Sequence, residues 1–382
     1  MRKIPLLLVL LAMSGCGSVD MVKGWMGNKP GMVEPTKLVE FSQTARFTER
    51  WHADFGESGA SPLQASLTRD AVYGASGKGV LTRLDRATGR QVWRVESNMV
   101  VSAGVGSGEG LVLIGSDKGE VHAYGDDGVL RWKRTVSSEV LGVPQVSEGV
   151  VVVRSGDGHI TGLSVADGKR LWVYERSTPA LVVRSHAGVT IRRGVAFAGF
   201  AGGKLIAIKL SDGSLLWENS VSVPRGNTEL ERISDITSNP LVNDAQVCAI
   251  AFQGNLACFE SSQGSPLWNR EISSDKGLFI FRKQLYLSDA RGAVLALDKD
   301  SGSTIWKNEQ LILRETSAPY GLDGFVVVGD YEGYLHALNR DDGRFMARIK
   351  LDGSALSAAP VQMDDGMLVQ TRKGSVYSLT IN

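Results

Sequence analysis

Few residues in this 382-residue chain are suited to chemistry, and their spacing does not build a catalytic site. Of the five histidines, His122 and His336 each stand three residues after a glycine that opens an alternating strand pattern. The other three lack the spacing of a metal site: His52, His159 and His186. Neither a Gly-x-Ser-x-Gly elbow nor a phosphate-binding loop occurs. The sequence therefore predicts no enzyme, and no catalytic, cofactor-binding or metal-binding residue.

The cysteine with the clearest chemistry is Cys16, which follows a signal-like N-terminus. A positive start and an apolar run too short to span a bilayer, followed by small residues, predict a secretory signal peptide over residues 1–15. A cysteine directly after Ser14 and Gly15 is similar to the lipobox of bacterial lipoproteins. That resemblance implies cleavage before Cys16 and lipid attachment there, and Gly17 after it favours the periplasmic side of the outer membrane. An ordinary signal peptide with an incidental cysteine is the alternative.

A repeat of the form Gly-x-x-x-Trp predicts the scaffold that must position any functional residue. Its last residues are 39, 40, 45, 51, 38 and 41 positions apart, and they are Trp93, Trp132, Trp172, Trp217, Trp268, Trp306 and Ala347. A period of about 40 residues, rich in short β segments, is typical of a β-propeller with four-stranded blades. Eight strands of alternating pattern, each opened by a glycine, accompany the repeat. We predict an all-β, eight-bladed propeller of four-stranded antiparallel blades.

The two ends of the sequence predict how the ring closes. Trp51 lies 42 residues before Trp93 and has no glycine strand ahead of it, whereas the last glycine strand, from Gly374, has no tryptophan strand after it. Pairing the N-terminal strand with the C-terminal blade completes the eighth blade and removes an open edge. The propeller is expected over residues 46–382, with the tryptophans packed between blades, and a lipid-anchored tether over residues 16–45.

Charge excludes one class of partner. The chain carries 42 basic and 41 acidic residues, and without residues 1–15 the numbers are 40 and 41. This balance provides neither a nucleic-acid footprint nor a polybasic membrane patch. We therefore expect no nucleic-acid partner, and membrane contact through the N-terminal lipid.

Two further cysteines, Cys248 and Cys258, flank a predicted hairpin turn at Gln253 and Gly254, which would place them opposite each other. We favour the interpretation that they are two small buried hydrophobic residues. A cross-strand disulfide is the alternative, because the periplasm is oxidising.

Departures from the repeat mark the candidate functional surface. The two longest spacings, 45 and 51, place extra residues after two successive tryptophan strands, at 178–188 and 224–235. We expect these two loops to emerge side by side on one face of the disc. The first offers apolar residues beside Arg184, and the second offers charged ones: Glu229, Glu231, Arg232 and Asp235. Such a mixed surface suits a protein partner better than a small ligand.

The blade repeat resembles the tryptophan-docking repeat of the pyrroloquinoline-quinone (PQQ) dehydrogenases, most clearly over residues 296–306. Those enzymes are eight-bladed propellers, and the resemblance would imply an adjacent cysteine pair, a calcium site and a catalytic aspartate. This sequence has no adjacent cysteines and no cluster of oxygen ligands suited to calcium. The resemblance therefore concerns architecture, and a PQQ-dependent dehydrogenase or a periplasmic ligand-binding propeller is kept as the alternative function.

A closer resemblance is to the BamB family, the lipoprotein subunits of the outer-membrane β-barrel assembly (BAM) complex. It rests on the lipoprotein signal, the tether, the eight quinoprotein-like blades and the segments 181–184 and 228–235, and it covers essentially the whole chain. It implies a non-catalytic scaffold that needs no cofactor, binds the periplasmic domain of BamA and supports folding and insertion of barrel proteins. By position it implies four contact residues: Leu181, Val183, Arg184 and Asp235.

Within that resemblance, Arg184 and Asp235 would orient the contact while Leu181 and Val183 supply buried apolar area. Val183 replaces an expected leucine, and Thr237 stands where a second aspartate is expected. Glu229, Glu231 and Arg232 are additional candidates for partner binding. Unfolded outer-membrane protein clients are a further implied partner, through strand addition at blade edges, for which the residues offer no direct support.

Overall fold

The computed structural model describes residues 34–382, and in that part of the chain eight four-stranded antiparallel sheets form. The signal peptide, Cys16 and the tether up to residue 33 lie outside the described residues. Among the residues described, the helical structure is a three-residue 3-10 turn, Ala201–Gly203, and no helix there could cross a membrane.

The strands are short, and glycine-containing turns separate most of them. In the first half of the chain they are β1 (Phe47–Asp54), β2 (Ser66–Leu67), β3 (Ala71–Ala75), β4 (Val80–Asp85), β5 (Gln91–Glu96), β6 (Val101–Gly108), β7 (Leu111–Ser116), β8 (Glu120–Gly125), β9 (Leu130–Thr135), β10 (Gln145–Ser147), β11 (Val150–Arg154), β12 (Ile160–Ser164), β13 (Arg170–Tyr174), β14 (Thr190–Arg192), β15 (Val195–Phe200), β16 (Lys204–Lys209) and β17 (Leu215–Ser220). In the second half they are β18 (Leu241–Val242), β19 (Gln246–Ile250), β20 (Leu256–Glu260), β21 (Pro266–Arg270), β22 (Leu278–Phe281), β23 (Gln284–Ser288), β24 (Val294–Asp298), β25 (Thr304–Asn308), β26 (Tyr320–Leu322), β27 (Phe325–Gly329), β28 (Tyr334–Asn339), β29 (Phe345–Lys350), β30 (Val361–Met363), β31 (Gly366–Gln370) and β32 (Ser375–Ile381).

Seven blades are contiguous in sequence and the eighth is not. Blades I to VII comprise β2–β5, β6–β9, β10–β13, β14–β17, β18–β21, β22–β25 and β26–β29, and blade VIII has the order β30, β31, β32, β1. In blade VIII, β1 pairs with β32 from Phe47 opposite Ile381 to Asp54 opposite Ser375. The predicted eight-bladed fold, closed by an N-terminal strand, is confirmed.

One tryptophan joins each of seven blades to the next blade. Every indole Nε1–H donates to a backbone carbonyl of the neighbouring blade over 2.7–3.2 Å. The ring lies against a turn glycine there, so close that an added Cβ would stand 2.5–3.1 Å from ring atoms. These seven glycines also have φ between 69° and 80°, a region that favours glycine. Each Gly-x-x-x-Trp unit thus supplies the glycine of one junction and the tryptophan of the next.

The junction between blades VII and VIII reverses this pattern of large and small residues. At the other junctions the glycine closes the turn between the third and fourth strands of a blade. Blade VIII has no such turn, because β1 arrives from the other end of the chain, and Phe47 occupies the glycine position. Ala347 occupies the tryptophan position, and both side chains are buried in one apolar cluster. At this junction the large side chain, Phe47, therefore belongs to blade VIII, and the small one, Ala347, belongs to blade VII.

A segment ahead of β1, residues 36–46, lies on this same part of the ring, and we call it the N-terminal strap. Its amides at Thr44 and Ala45 donate to the carbonyl of Met346 at the outer edge of blade VII, at 3.0 and 3.2 Å. Phe41 stacks on Phe345 with ring centroids 5.3 Å apart. The compact unit that contains the propeller therefore begins at Thr36, earlier than the boundary expected at residue 46, because the strap is bound to blade VII.

Buried charges hold the strap. Arg314 Nη1 donates to the carbonyl of Thr36 over 3.1 Å, and its Nε donates to Asp330 over 2.9 Å. His336 Nε2 lies 3.0 Å from the same carboxylate, and its Nδ1 accepts from Arg348 Nε over 3.1 Å. Burial lowers the pKa of His336 more than Asp330 raises it, so the ring is neutral with its proton on Nε2. The histidine is thus part of the scaffold.

The structure corrects the favoured interpretation of the two strand cysteines. Cys248 and Cys258 lie directly opposite each other on β19 and β20 and are joined by a disulfide, with a Cα–Cα distance of 4.1 Å. Both are fully buried, as expected for small hydrophobic residues. They are nonetheless linked, because the hairpin places their side chains on the same face of the sheet at directly opposed positions.

The reversed junction predicts a compensating pair of substitutions. Ala347→Trp alone should lower the free energy of unfolding by about 1–3 kcal/mol, because a second large side chain meets Phe47 in a filled space. Adding Phe47→Ala should recover part of that loss, whereas Phe47→Ala alone should cost about 3–5 kcal/mol through the cavity it leaves. Chemical denaturation of the three variants measures these values. Strictly additive effects of the two substitutions would contradict the reversal.

Candidate functional site

Two long loops stand next to each other on one face of the ring. The first loop, residues 175–189, joins β13 to β14, and the second loop, residues 221–240, joins β17 to β18. Each connects the fourth strand of a blade to the first strand of the next, so both leave the repeat on the same face. The expectation that they emerge side by side agrees with this topology.

Hydrogen bonds join the two loops along their length. The amide of Val183 donates to Asp235 Oδ2 over 2.8 Å, and Ser185 Oγ donates to the carbonyl of Thr237 over 3.1 Å. Further along, the amide of Gly188 donates to Asn239 Oδ1 over 2.6 Å. Loops fixed to each other at several points present a defined surface.

Asp235 is the centre of this linkage and is itself inaccessible. Its side chain is buried, with 4% of the residue exposed, and its second oxygen accepts from the amide of Gly202 over 3.0 Å. Its backbone carbonyl accepts from the amide of Phe252 over 2.8 Å. From the sequence we expected Asp235 to contact the partner, but both carboxylate oxygens already accept hydrogen bonds within the protein. Its geometry supports a positioning role for the first loop.

The accessible part of the surface is apolar with a cation beside it. Leu181 is 42% exposed, and the side chain of Arg184 is 67% exposed. Val183 is half-buried and lines a cavity beneath the loop. Sequence reasoning missed Val182 and Leu230, which are 39% and 67% exposed. The available signal was an aliphatic residue at a loop tip, where polar residues are usual.

The charged residues of the second loop mainly shape the loop itself. Glu231 Oε2 accepts from the amides of Asn227 and Thr228 over 2.7 and 3.1 Å, and these hydrogen bonds hold the pKa of Glu231 below its usual value. Arg232 donates to the carbonyl of Gly226 over 3.1 Å and lies 3.4 Å from Glu229. Glu229 and Arg232 remain exposed, whereas the carboxylate of Glu231 is engaged in the turn.

Below the loops, a cavity of about 270 Å³ is lined by residues of blades III and IV and of the loops themselves. Arg154, at the end of β11, forms part of its floor and donates to the carbonyl of Ala187 over 3.1 Å. Burial lowers the pKa of Arg154 to about 10, against the opposing influence of the Asp235 carboxylate. Residues 34–382 contain no group of three or more side chains placed to hold a metal ion.

Comparison with known proteins places this architecture in one family. The sequence model of the family described as outer membrane protein assembly factor BamB matches residues 77–308. A relative of that name from Nitrosomonas eutropha is 40% identical, over 99% of this chain and 95% of its own length. This chain belongs to the BamB family. The crystal structure of BamB from Moraxella catarrhalis superposes with a TM-score of 0.80 at 25% identity, over 88% of this chain and all of that one.

The quinoprotein likeness concerns the fold alone. Quinohemoprotein alcohol dehydrogenase from Comamonas testosteroni superposes with a TM-score of 0.70, over 87% of this chain and 76% of its own. Its sequence identity is only 12%. A likeness at that identity shows a shared propeller architecture and carries no conclusion about chemistry.

Asp235 holds the amides of Val183 and Gly202 together, an arrangement that we call the Asp235 clasp. We expect the first loop to lose order locally when the charge of Asp235 is removed. In Asp235→Asn the amide group can accept only one of the two backbone N–H bonds, so the free energy of unfolding should fall by about 1.5–3 kcal/mol. Amide hydrogen exchange at Val183 and Gly202 should quicken. Asp212→Asn is the control, because Asp212 accepts from Ser214 in an exposed turn far from the loops. Unchanged exchange at Val183 would show that the clasp does not hold the loop.

Proposed function

We propose that this protein is a lipid-anchored, non-catalytic scaffold subunit of the BAM complex. It binds the periplasmic domain of BamA through the two loops and supports folding and insertion of β-barrel proteins. The observation that carries this proposal is the hydrogen bond from the Val183 amide to the Asp235 carboxylate, which fixes the first loop against the second. Membership of a family named for outer membrane protein assembly supplies the biological setting.

The geometry suits a protein partner. Leu181, Val182 and Leu230 expose aliphatic side chains on loops, where they gain nothing from the propeller core. Burying them against a partner would remove apolar area from water, and anchored loops lose little conformational entropy on binding. We assign the apolar part of the contact to these residues, with Val183 supporting them from below.

Arg184 is available to a partner in a way that Asp235 is not. Its one ion-pair contact among the described residues is with Glu139, at 4.0 Å, and both side chains are accessible. An exposed pair at that distance contributes little to stability, so the guanidinium can exchange its partner at low cost. Arginine is enriched among the residues that dominate the binding energy of protein interfaces. We therefore assign the orienting charge to Arg184.

The anchoring part of the proposal concerns the N-terminus. Cys16, the proposed site of lipid attachment, precedes the described residues, and the N-terminal strap connects that region to blade VII. Anchored in this way, the propeller would lie on the periplasmic side of the outer membrane.

Binding to BamA should depend on Arg184 and Leu181. In a titration with the purified periplasmic domain of BamA, Arg184→Glu and Leu181→Asp should each weaken binding by about 2 kcal/mol or more, roughly thirtyfold. The control is Arg344→Glu, which reverses another exposed arginine that pairs with one acidic residue, Asp342, in a turn on the opposite face. Full binding by both loop variants would place the contact elsewhere. Absence of binding by the wild type would contradict the proposed function.

A further inference from the structure

The cavity beneath the first loop contains a cation without a close counter-ion. Arg154 lies at the end of a central strand, and its guanidinium carbon is 4.8 Å from the ring centroid of Phe200. One of its five N–H groups bonds the carbonyl of Ala187. No carboxylate among the described residues lies within 4.0 Å of this guanidinium. A positive charge that is partly shielded from water and has no counter-ion costs free energy.

The two acidic side chains of the cavity do not fill this role. Asp235 uses one oxygen for the amide of Val183 and the other for the amide of Gly202. Glu139 stands at the rim, 4.0 Å from Arg184. The floor of the cavity therefore offers a fixed guanidinium and an aromatic face, while its rim carries the loop residues that we assign to partner contact.

The shape and lining of the cavity restrict what can enter. Its volume of about 270 Å³ is lined by apolar groups of Leu141, Val182, Val183, Phe200 and Ile236 around the half-buried guanidinium of Arg154. A carboxylate at the end of a short aliphatic stem matches that lining, since its methylene groups can pack while both oxygens bond one guanidinium. Such paired bonds are among the strong polar contacts of proteins.

We propose that this cavity accepts an aspartate or glutamate side chain of the partner protein, with Arg154 as its bidentate donor. This inference rests on the proposed function, because the cavity opens between residues of the same contact surface. Arg184 then orients the partner at the rim, and Arg154 anchors one acidic side chain below it. Phe200 and the Ala187 carbonyl hold the guanidinium in place before the partner arrives.

The test combines substitutions on both proteins, with the full chain and the purified periplasmic domain of BamA. Arg154→Lys keeps the charge but not the paired geometry and should weaken binding about tenfold, and Arg154→Gln should weaken it further. Each Asp and Glu of the BamA domain is then changed singly to Asn or Gln. One of these changes should weaken binding about tenfold to wild type but less than twofold to Arg154→Gln, as expected for two groups in direct contact.

A structural role for Arg154 would give a different pattern. If the substitution only displaced the first loop, every acidic substitution in the partner would cost the same with wild type and with Arg154→Gln, and the inference would be wrong. The partner substitutions measured with the wild-type chain do not depend on the folding of any Arg154 variant. If none of them weakens binding, the inference is likewise overturned.

The same data separate this inference from the proposed function. Weaker binding by Arg184→Glu together with unchanged binding by Arg154→Gln would keep the contact face and remove the carboxylate site. Absence of binding by the wild-type chain would overturn both. Competition by free acetate, without coupling to a partner residue, would identify the cavity as a site for small carboxylates and would contradict the proposal.

Discussion

The docking of one tryptophan on a glycine of the next blade is the interaction on which the rest of this structure depends. It buries a large ring, satisfies the indole N–H and requires a residue without a side chain opposite it, so each junction fixes the next blade. Seven of the eight junctions are built in this way, and the junction between blades VII and VIII is built differently. Phe47 and Ala347 make it with the large and small residues exchanged, because β1 enters blade VIII without the turn that would need glycine. The N-terminal strap then covers the outer edge beside that junction.

Because the ring is closed, the two loops have fixed ends and can hold a defined conformation although they lie outside the hydrophobic core. Blades III, IV and V are held by their tryptophans, so the two loops leave from fixed points and need only be joined to each other. Asp235 does this from a buried position, and the cost of burying its charge is offset by the two backbone N–H groups that donate to its carboxylate oxygens. What remains accessible is an aliphatic surface with Arg184 beside it. The Asp235 carboxylate therefore positions the first loop but is not itself part of the accessible surface.

Sequence reasoning predicted most of the fold, because the ring is encoded locally. Each glycine and tryptophan stands in a fixed place in its own repeat, and the unmatched strands at the two ends indicated the closure of blade VIII. Features that depend on contacts between distant segments were missed. The strap has no period of its own, since its contacts are with blade VII. The sequence did place Cys248 opposite Cys258 across a hairpin, but composition does not distinguish two buried thiols from the disulfide that they form.

The candidate site divides in the same way. Loop lengths indicated the candidate surface, and the family resemblance pointed to Leu181 and Arg184, both of which are exposed. Composition could not show that Asp235 faces inward or that Arg154, the last residue of β11, lines the cavity from below. The measurement that tests the account most directly is photo-cross-linking in cells, with a photoreactive amino acid at Leu181 and, as control, at Val129 on the opposite face. The account predicts cross-links to the periplasmic domain of BamA from Leu181 and none from Val129, and the reverse result would contradict it.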